Sequence, residues 1–141
     1  DNPRYGGANS AIGLLCRMYM GIDRNDEALK KGIERLVKAG PNRGSHGAYF
    51  NYYAAQAIFQ YTSGEGPLWK QWNEPMRDFL IETQSQEGHE TGSWGSRGEE
   101  RGSHIQHGGR LYQTAMCCMT LEVYYRLMPI YRTEATEQGF E

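Results

Sequence analysis

The chain has 141 residues, 38% of them hydrophobic and 12% aromatic, and a formal net charge of −2. That length fits one domain, residues 1–141, able to bury roughly two thirds of its unfolded surface. The near-neutral balance gives no basic field for nucleic acid or an anionic membrane. No apolar run approaches the ~18 residues of a membrane span, since 11–20 is interrupted by Arg17.

Three cysteines, of which Cys117 and Cys118 are adjacent, do not make a disulfide framework. No targeting segment is legible, and the compartment is left unassigned.

Residues 1–7 read as a linker with Pro3 and two glycines. Residues 8–20 form an apolar helix ending at Gly21, with Ser10 and Gly13 small enough to admit another helix closely. Asn25 is the expected N-cap of the next helix, with Asp26 and Glu27 favourable at its positive end. Leu29, Ile33, Leu36 and Val37 make one face, lysines and glutamates the other, and Gly40 then Pro41 stop it. After a turn at 40–47, residues 48–61 are a second apolar helix, polar only at Asn51, Gln56, Gln60 and the tyrosine hydroxyls.

Residues 62–67 break the chain, and 68–84 carry Trp69, Trp72, Met76, Phe79, Leu80 and Thr83 on one face. Pro75 conflicts with a helix interior. Either Asn73 caps a helix that starts there, or the helix kinks. Residues 85–108 are a long polar segment with Glu87, Glu90, Arg97, Glu99, Glu100, Arg101 and three of the four histidines. Loops this long are uncommon inside compact domains. Residues 109–128 are a fifth helix ended by Pro129, and the tail from 131 is polar.

The segment 79–94 ends an amphipathic helix on Phe79 and Leu80, then passes Gln84, Gly88 and Gly92 to Trp94. A helix end leaves carbonyls without intrahelical partners. The Gln84 amide is able to serve such carbonyls and the N–H groups of a nearby helix start. Trp94 is expected to lie over that amide, its indole N–H still needing a partner.

Around this segment the chain repeats. Ser10-Ala11 with Leu14-Leu15 matches Ala54-Ala55 with Ile58-Phe59 at an offset of 44. Leu29, Ile33, Leu36 and Val37 match Trp72, Met76, Phe79 and Leu80 at an offset of 43. Thr114-Ala115 with Cys118-Met119 gives the apolar pattern once more. A helical-hairpin unit of this length signals a stacked helical array.

Phe79, Leu80, Gln84, Gly88, Gly92 and Trp94, together with this repeat, resemble the QW motif of the squalene–hopene cyclases. Those enzymes belong with the terpenoid cyclase and protein prenyltransferase-like α/α toroids. YYAAQAIFQ, WKQWN, GSW and GGRLYQTAM carry the likeness across about residues 9–130. The resemblance implies an all-α partial α/α toroid of about two and a half hairpins, with inner and outer layers. Such a sector is completed by the rest of its own full-length chain or by a second copy.

The chemistry of that family is not matched. A cyclase protonates an alkene with a D-x-D-D run, whereas Asp23 and Asp26 lie in IDRND and Asp78 stands alone. Neither the prenyltransferase zinc pattern nor the thioester motif of the complement and macroglobulin domains is present. His104 and His107 in HIQH would need His89 or Cys117 to hold zinc. Without a C-x-x-C they define no metal site, and no cofactor is expected. Glu87 and Glu90 have the makings of an acid pair, or else pair with Arg97 or Arg101.

The expected function is a non-catalytic helical-repeat module for binding or assembly. The alternative is a cyclase-like or glycan-acting enzyme taking an apolar or saccharide ligand, lined by Tyr49, Tyr52, Tyr53, Tyr112, Glu87 and His104.

Overall fold

The structure, a computed structural model, describes residues 7–44, 47–95 and 104–127, with the backbone alone described at 104–107 and at Tyr124. The expected linker and polar tail lie almost wholly outside these residues. So do Arg97, Glu99, Glu100 and Arg101, and the side chains of His104 and His107. The described chain is all-helical: α1 (Ala8–Tyr19), α2 (Glu27–Ala39), α3 (Gly47–Thr62), α4 (Gly66–Thr83), α5 (His104–Leu121) and α6 (Val123–Arg126), with one 3-10 turn at Gly88–Glu90.

α3 is the centre. It packs against α1, α2, α4, α5 and α6, and every one of its residues is buried except Tyr49, Tyr52 and Tyr53. α1 and α5 flank it, while α2 and α4 pack on each other as well as on α3. Its composition explains the position: alanines at 54, 55 and 57 let neighbours approach, and Phe50, Ile58 and Phe59 fill the space between. Phe50 meets Trp72 edge-on with centroids 6.1 Å apart, and Phe59 meets Trp69 at 5.6 Å, so two aromatic pairs join α3 to α4.

The polar groups of a buried helix must be paired. Asn51 shows how: its Nδ2 donates to the Asn42 carbonyl at 2.9 Å while its Oδ1 accepts from the Asn42 N–H at 2.8 Å. One core side chain thus holds the connection between α2 and α3. Arg43 in that connection lies over the Phe79 ring at 5.2 Å and reaches Glu82 at 3.3 Å, tying it to α4 as well. Past α3 the chain turns on Ser63 and Gly64, both at positive φ, and a Cβ on Gly64 would come within 2.7 Å of the Phe59 ring.

Leu29, Ile33, Leu36 and Val37 are all buried, as the α2 pattern requires. The cap is different. Asp26, not Asn25, closes the helix start, its carboxylate accepting from the Leu29 N–H at 2.7 Å. Asn25 is drawn off because its N–H donates to the Asp23 carboxylate. The close approach between α1 and α2 is also elsewhere than expected. A Cβ on Gly32 would strike the Leu14 side chain, whereas Gly13 lies exposed with open space beside it.

α4 runs through Pro75, so Asn73 caps nothing and the helix begins at Gly66. Pro75 is exposed, which keeps its ring out of the core. Trp69, Trp72, Met76 and Leu80 are buried, Phe79 is half-buried, and Thr83 is exposed. The fifth helix starts earlier than expected, at His104, and breaks at Gly109 (φ 56°, ψ −154°), where only glycine is at ease. It stops at Leu121, and the separate turn of α6 replaces its expected last residues. On α5 Cys117 is buried and its thiol is pushed up to about 12 by burial and then by Cys118, which is itself exposed.

Replacing Pro75 by Ala restores a helix N–H and removes the ring, against a more flexible unfolded chain. The expected result is a gain of about 2 kcal/mol in unfolding free energy by urea titration. A loss instead would mean that the proline geometry is required to seat Trp72.

Candidate functional site

Two clusters hold the residues singled out by sequence. The first is the turn after α4. Ser85 N–H donates to the Ser93 carbonyl at 2.9 Å, and Gly92 N–H returns a bond to the Ser85 carbonyl at 2.8 Å, which closes the segment into a compact loop. Gly88 and Gly92 have positive φ, and the Thr91 and Ser93 hydroxyls donate to the Gly88 and Glu90 carbonyls.

Gln84 and Trp94 divide the work differently from the expected arrangement. Gln84 is the C-cap of α4, and its Nε2 donates to the Gly92 carbonyl at 3.0 Å, inside the loop. The helix-end carbonyl is served by Trp94, whose buried indole N–H donates to Leu80 at 2.8 Å. The Leu80 carbonyl also accepts the helical bond from the Gln84 N–H, so the group that depends on this contact is the buried indole N–H. The Trp94 backbone is held from the other side. Its N–H donates to the Thr114 hydroxyl at 3.1 Å, and that hydroxyl donates to the Trp94 carbonyl at 3.2 Å. Glu90 forms an ion pair with Arg110, just after the Gly109 break. Thus Trp94 and Glu90 fasten the loop of α4 to the start of α5. Among the described residues Glu90 pairs with Arg110 and has His89 beside it, while Arg97 and Arg101 lie outside the described residues. Thr114 and Arg110 lie in the GGRLYQTAM stretch, where sequence marks Thr114 only as part of the apolar repeat and gives neither residue a role in holding Trp94 or Glu90.

The second cluster is aromatic. Tyr49 and Tyr53, one helical turn apart on α3, meet edge-on at 4.8 Å, and Tyr52 meets Tyr53 at 5.1 Å. Tyr112 joins them from α5, close enough to act on the titration of Tyr53 and to be acted on by Tyr49. A Cβ on Gly108 would fall on the Tyr112 side chain, so glycine there leaves room for the ring. All four tyrosines are half-buried.

A hydrogen bond with Tyr49 is the first cause raising Tyr53 above the usual tyrosine value, followed by burial and its tyrosine neighbours. Burial, then Tyr49, raises Tyr112. Both phenols are therefore held neutral. They offer ring edges and hydroxyl donors and acceptors, but no phenolate near neutral pH.

Glu87 is exposed at the N-cap of the 3-10 turn and is not among the causes that raise Tyr53 and Tyr112. The His104 side chain, like that of His107, lies outside the described residues. Among the described residues no Asp or Glu is buried, and no group of three or more His, Cys, Asp or Glu is arranged to hold a metal ion.

Trp94→Phe removes the indole donor and some volume. It should lower stability by about 2 kcal/mol in urea titration. Unchanged stability would show that the Leu80 carbonyl is already satisfied by its other bond, from the Gln84 N–H.

The raised phenols and the raised Cys117 thiol share one sign. The folded chain keeps protons that the unfolded chain releases from its usual values of 10.0 and 9.0. Their stability contribution is whole below those values and drains away as pH rises through the folded ones. Urea midpoints measured across alkaline pH should fall less steeply in Tyr53→Phe than in the unaltered chain, and parallel profiles would refute the coupling.

Comparison with known proteins gives no matching family model, no matching curated protein and no matching solved structure.

Proposed function

We propose that this chain is a non-catalytic helical-repeat module for binding or assembly, built as a sector of a squalene-cyclase-like α/α toroid. α1, α3 and α5 serve as inner helices and α2 and α4 as outer ones in this reading. The pairing of α2 with α4 behind α3 supports it, as does the Trp94 bridge from an outer helix end to the next inner helix.

One observation carries the assembly role. On α5 the residues Met116, Cys117 and Thr120 are buried, whereas Leu111, Ala115, Cys118 and Leu121 are exposed. Leu111 is 82% exposed. An uncovered apolar helix face of this kind marks an association surface. In a helical array it is the face that receives the next helix, from the rest of a longer chain or from a second copy.

The tyrosine cluster supports a ligand-binding role within the same module. Four half-buried phenols suit stacking and hydrogen bonding to an apolar or saccharide ligand. The enzyme alternative, with its site between the tyrosine-rich helices and 85–108, needs a proton donor beside the rings. Glu87, its proposed acid, is exposed at the N-cap of the 3-10 turn, an environment that gives a carboxyl no burial to hold a proton near neutral pH.

Sedimentation equilibrium should reveal mass-action association of the isolated chain across the micromolar range, lost in Leu111→Glu with helicity unchanged by circular dichroism. A strictly monomeric chain, or association indifferent to Leu111→Glu, would defeat self-assembly through α5.

A further inference from the structure

A cavity of about 180 Å³ opens between α3, α5 and α6, lined by Tyr52, Met119, Val123, Arg126 and Leu127. We propose that it binds a small monocyclic aryl carboxylate, with the ring against the apolar wall and the carboxylate on Arg126.

Size sets the first limit. A closed apolar cavity of roughly 150 Å³ holds one benzene molecule; this pocket is similar in volume but open to solvent on one side and lined by polar as well as apolar groups, so it has room for a single six-membered ring with a short polar substituent at the open side. The wall sets the second. Val123 is 2% exposed and forms the floor with Met119 and Leu127. A polarizable thioether favours an aromatic ring over an aliphatic one, and the Tyr52 ring adds an edge for T-shaped contact. A sugar of the same size would bring several hydroxyls to a wall whose polar side-chain groups are the Tyr52 hydroxyl and the Arg126 guanidinium.

Charge sets the third limit. Arg126 Nη1 pairs with Glu122 at 2.8 Å on the adjacent turn. A guanidinium has five donors, so this bond leaves others free. Glu122 fixes the side chain at the rim, and the remaining edge suits a carboxylate. This site goes beyond the assembly reading and does not depend on the α5 face being covered.

The test uses phenylacetate and its neutral isostere phenylacetamide, titrated into the full chain carrying labelled methionine and valine methyls. Phenylacetate should shift the Met119 and Val123 methyls saturably and bind about tenfold more tightly than the amide, the scale of one charge-assisted hydrogen bond. In Arg126→Gln, a change at a 62% exposed side chain that leaves the core intact, the two probes should bind alike, with the methyl shifts retained. The same titration on Leu111→Glu should give the same affinities, which separates ligand binding from association. Absence of a saturable shift at these methyls overturns the site. Equal binding of acid and amide in the unaltered chain, or an acid preference that survives Arg126→Gln, overturns the carboxylate assignment.

Discussion

The burial of α3 is the constraint on which the other helices depend. A helix surrounded by α1, α2, α4, α5 and α6 has no wet face on which to place polar atoms, apart from the side bearing Tyr49, Tyr52 and Tyr53. Its interior polar groups must therefore be answered by the protein itself. Asn51 meets this demand by pairing both ends of its amide with the Asn42 backbone, and Thr62 by donating to the Ile58 carbonyl. The polar requirement of the core thereby fixes the path of a connection. The same helix is half-open to solvent on the side where Tyr49, Tyr52 and Tyr53 stand.

The order of the turn after α4 follows from a second buried polar group, the Trp94 indole N–H, which needs an acceptor. The Leu80 carbonyl lies at a helix end in the core, and the Trp94 indole reaches it only if the intervening chain doubles back. The two backbone bonds between Ser85 and Gly92–Ser93 supply that reversal. Thr114 then gives the returning strand of chain both a donor and an acceptor. What looks in sequence like a polar insertion is, up to residue 95, a folded connector between two helices.

Sequence made the helices legible wherever periodicity and burial agree. The four apolar residues of α2 all reached the core because their spacing leaves one helix face and no other option. The division between Gln84 and Trp94 was not legible, since both side chains carry a donor and only the closed loop decides which reaches Leu80. Asn25 and Asp26 are equally good caps in isolation, and the Asp23 side chain tips the choice. Local sterics at Pro75 leave either a helix that starts at an Asn73 cap or a kinked helix, and the helix runs through the proline from Gly66, with Trp72 and Met76 buried on either side. The four tyrosines were named from composition and do converge, whereas Glu87, named with them, lies on the outside of a turn. Arg126 carried no motif and Met119 only a place in the apolar repeat, and the pocket they line forms where α6 packs beside α3.

Cys117 and Cys118 are chain neighbours with opposite environments, because one helical step turns the side chain through most of a right angle or more. The outer thiol meets solvent, while the inner one is both enclosed and held protonated. Thiolate, not thiol, is the reactive form. The pair therefore acts as an internal clock for separation of α5 from α3: the outer thiol reports the presence of the chain, and the inner one becomes available to an alkylating reagent only during the fraction of time that the two helices are parted.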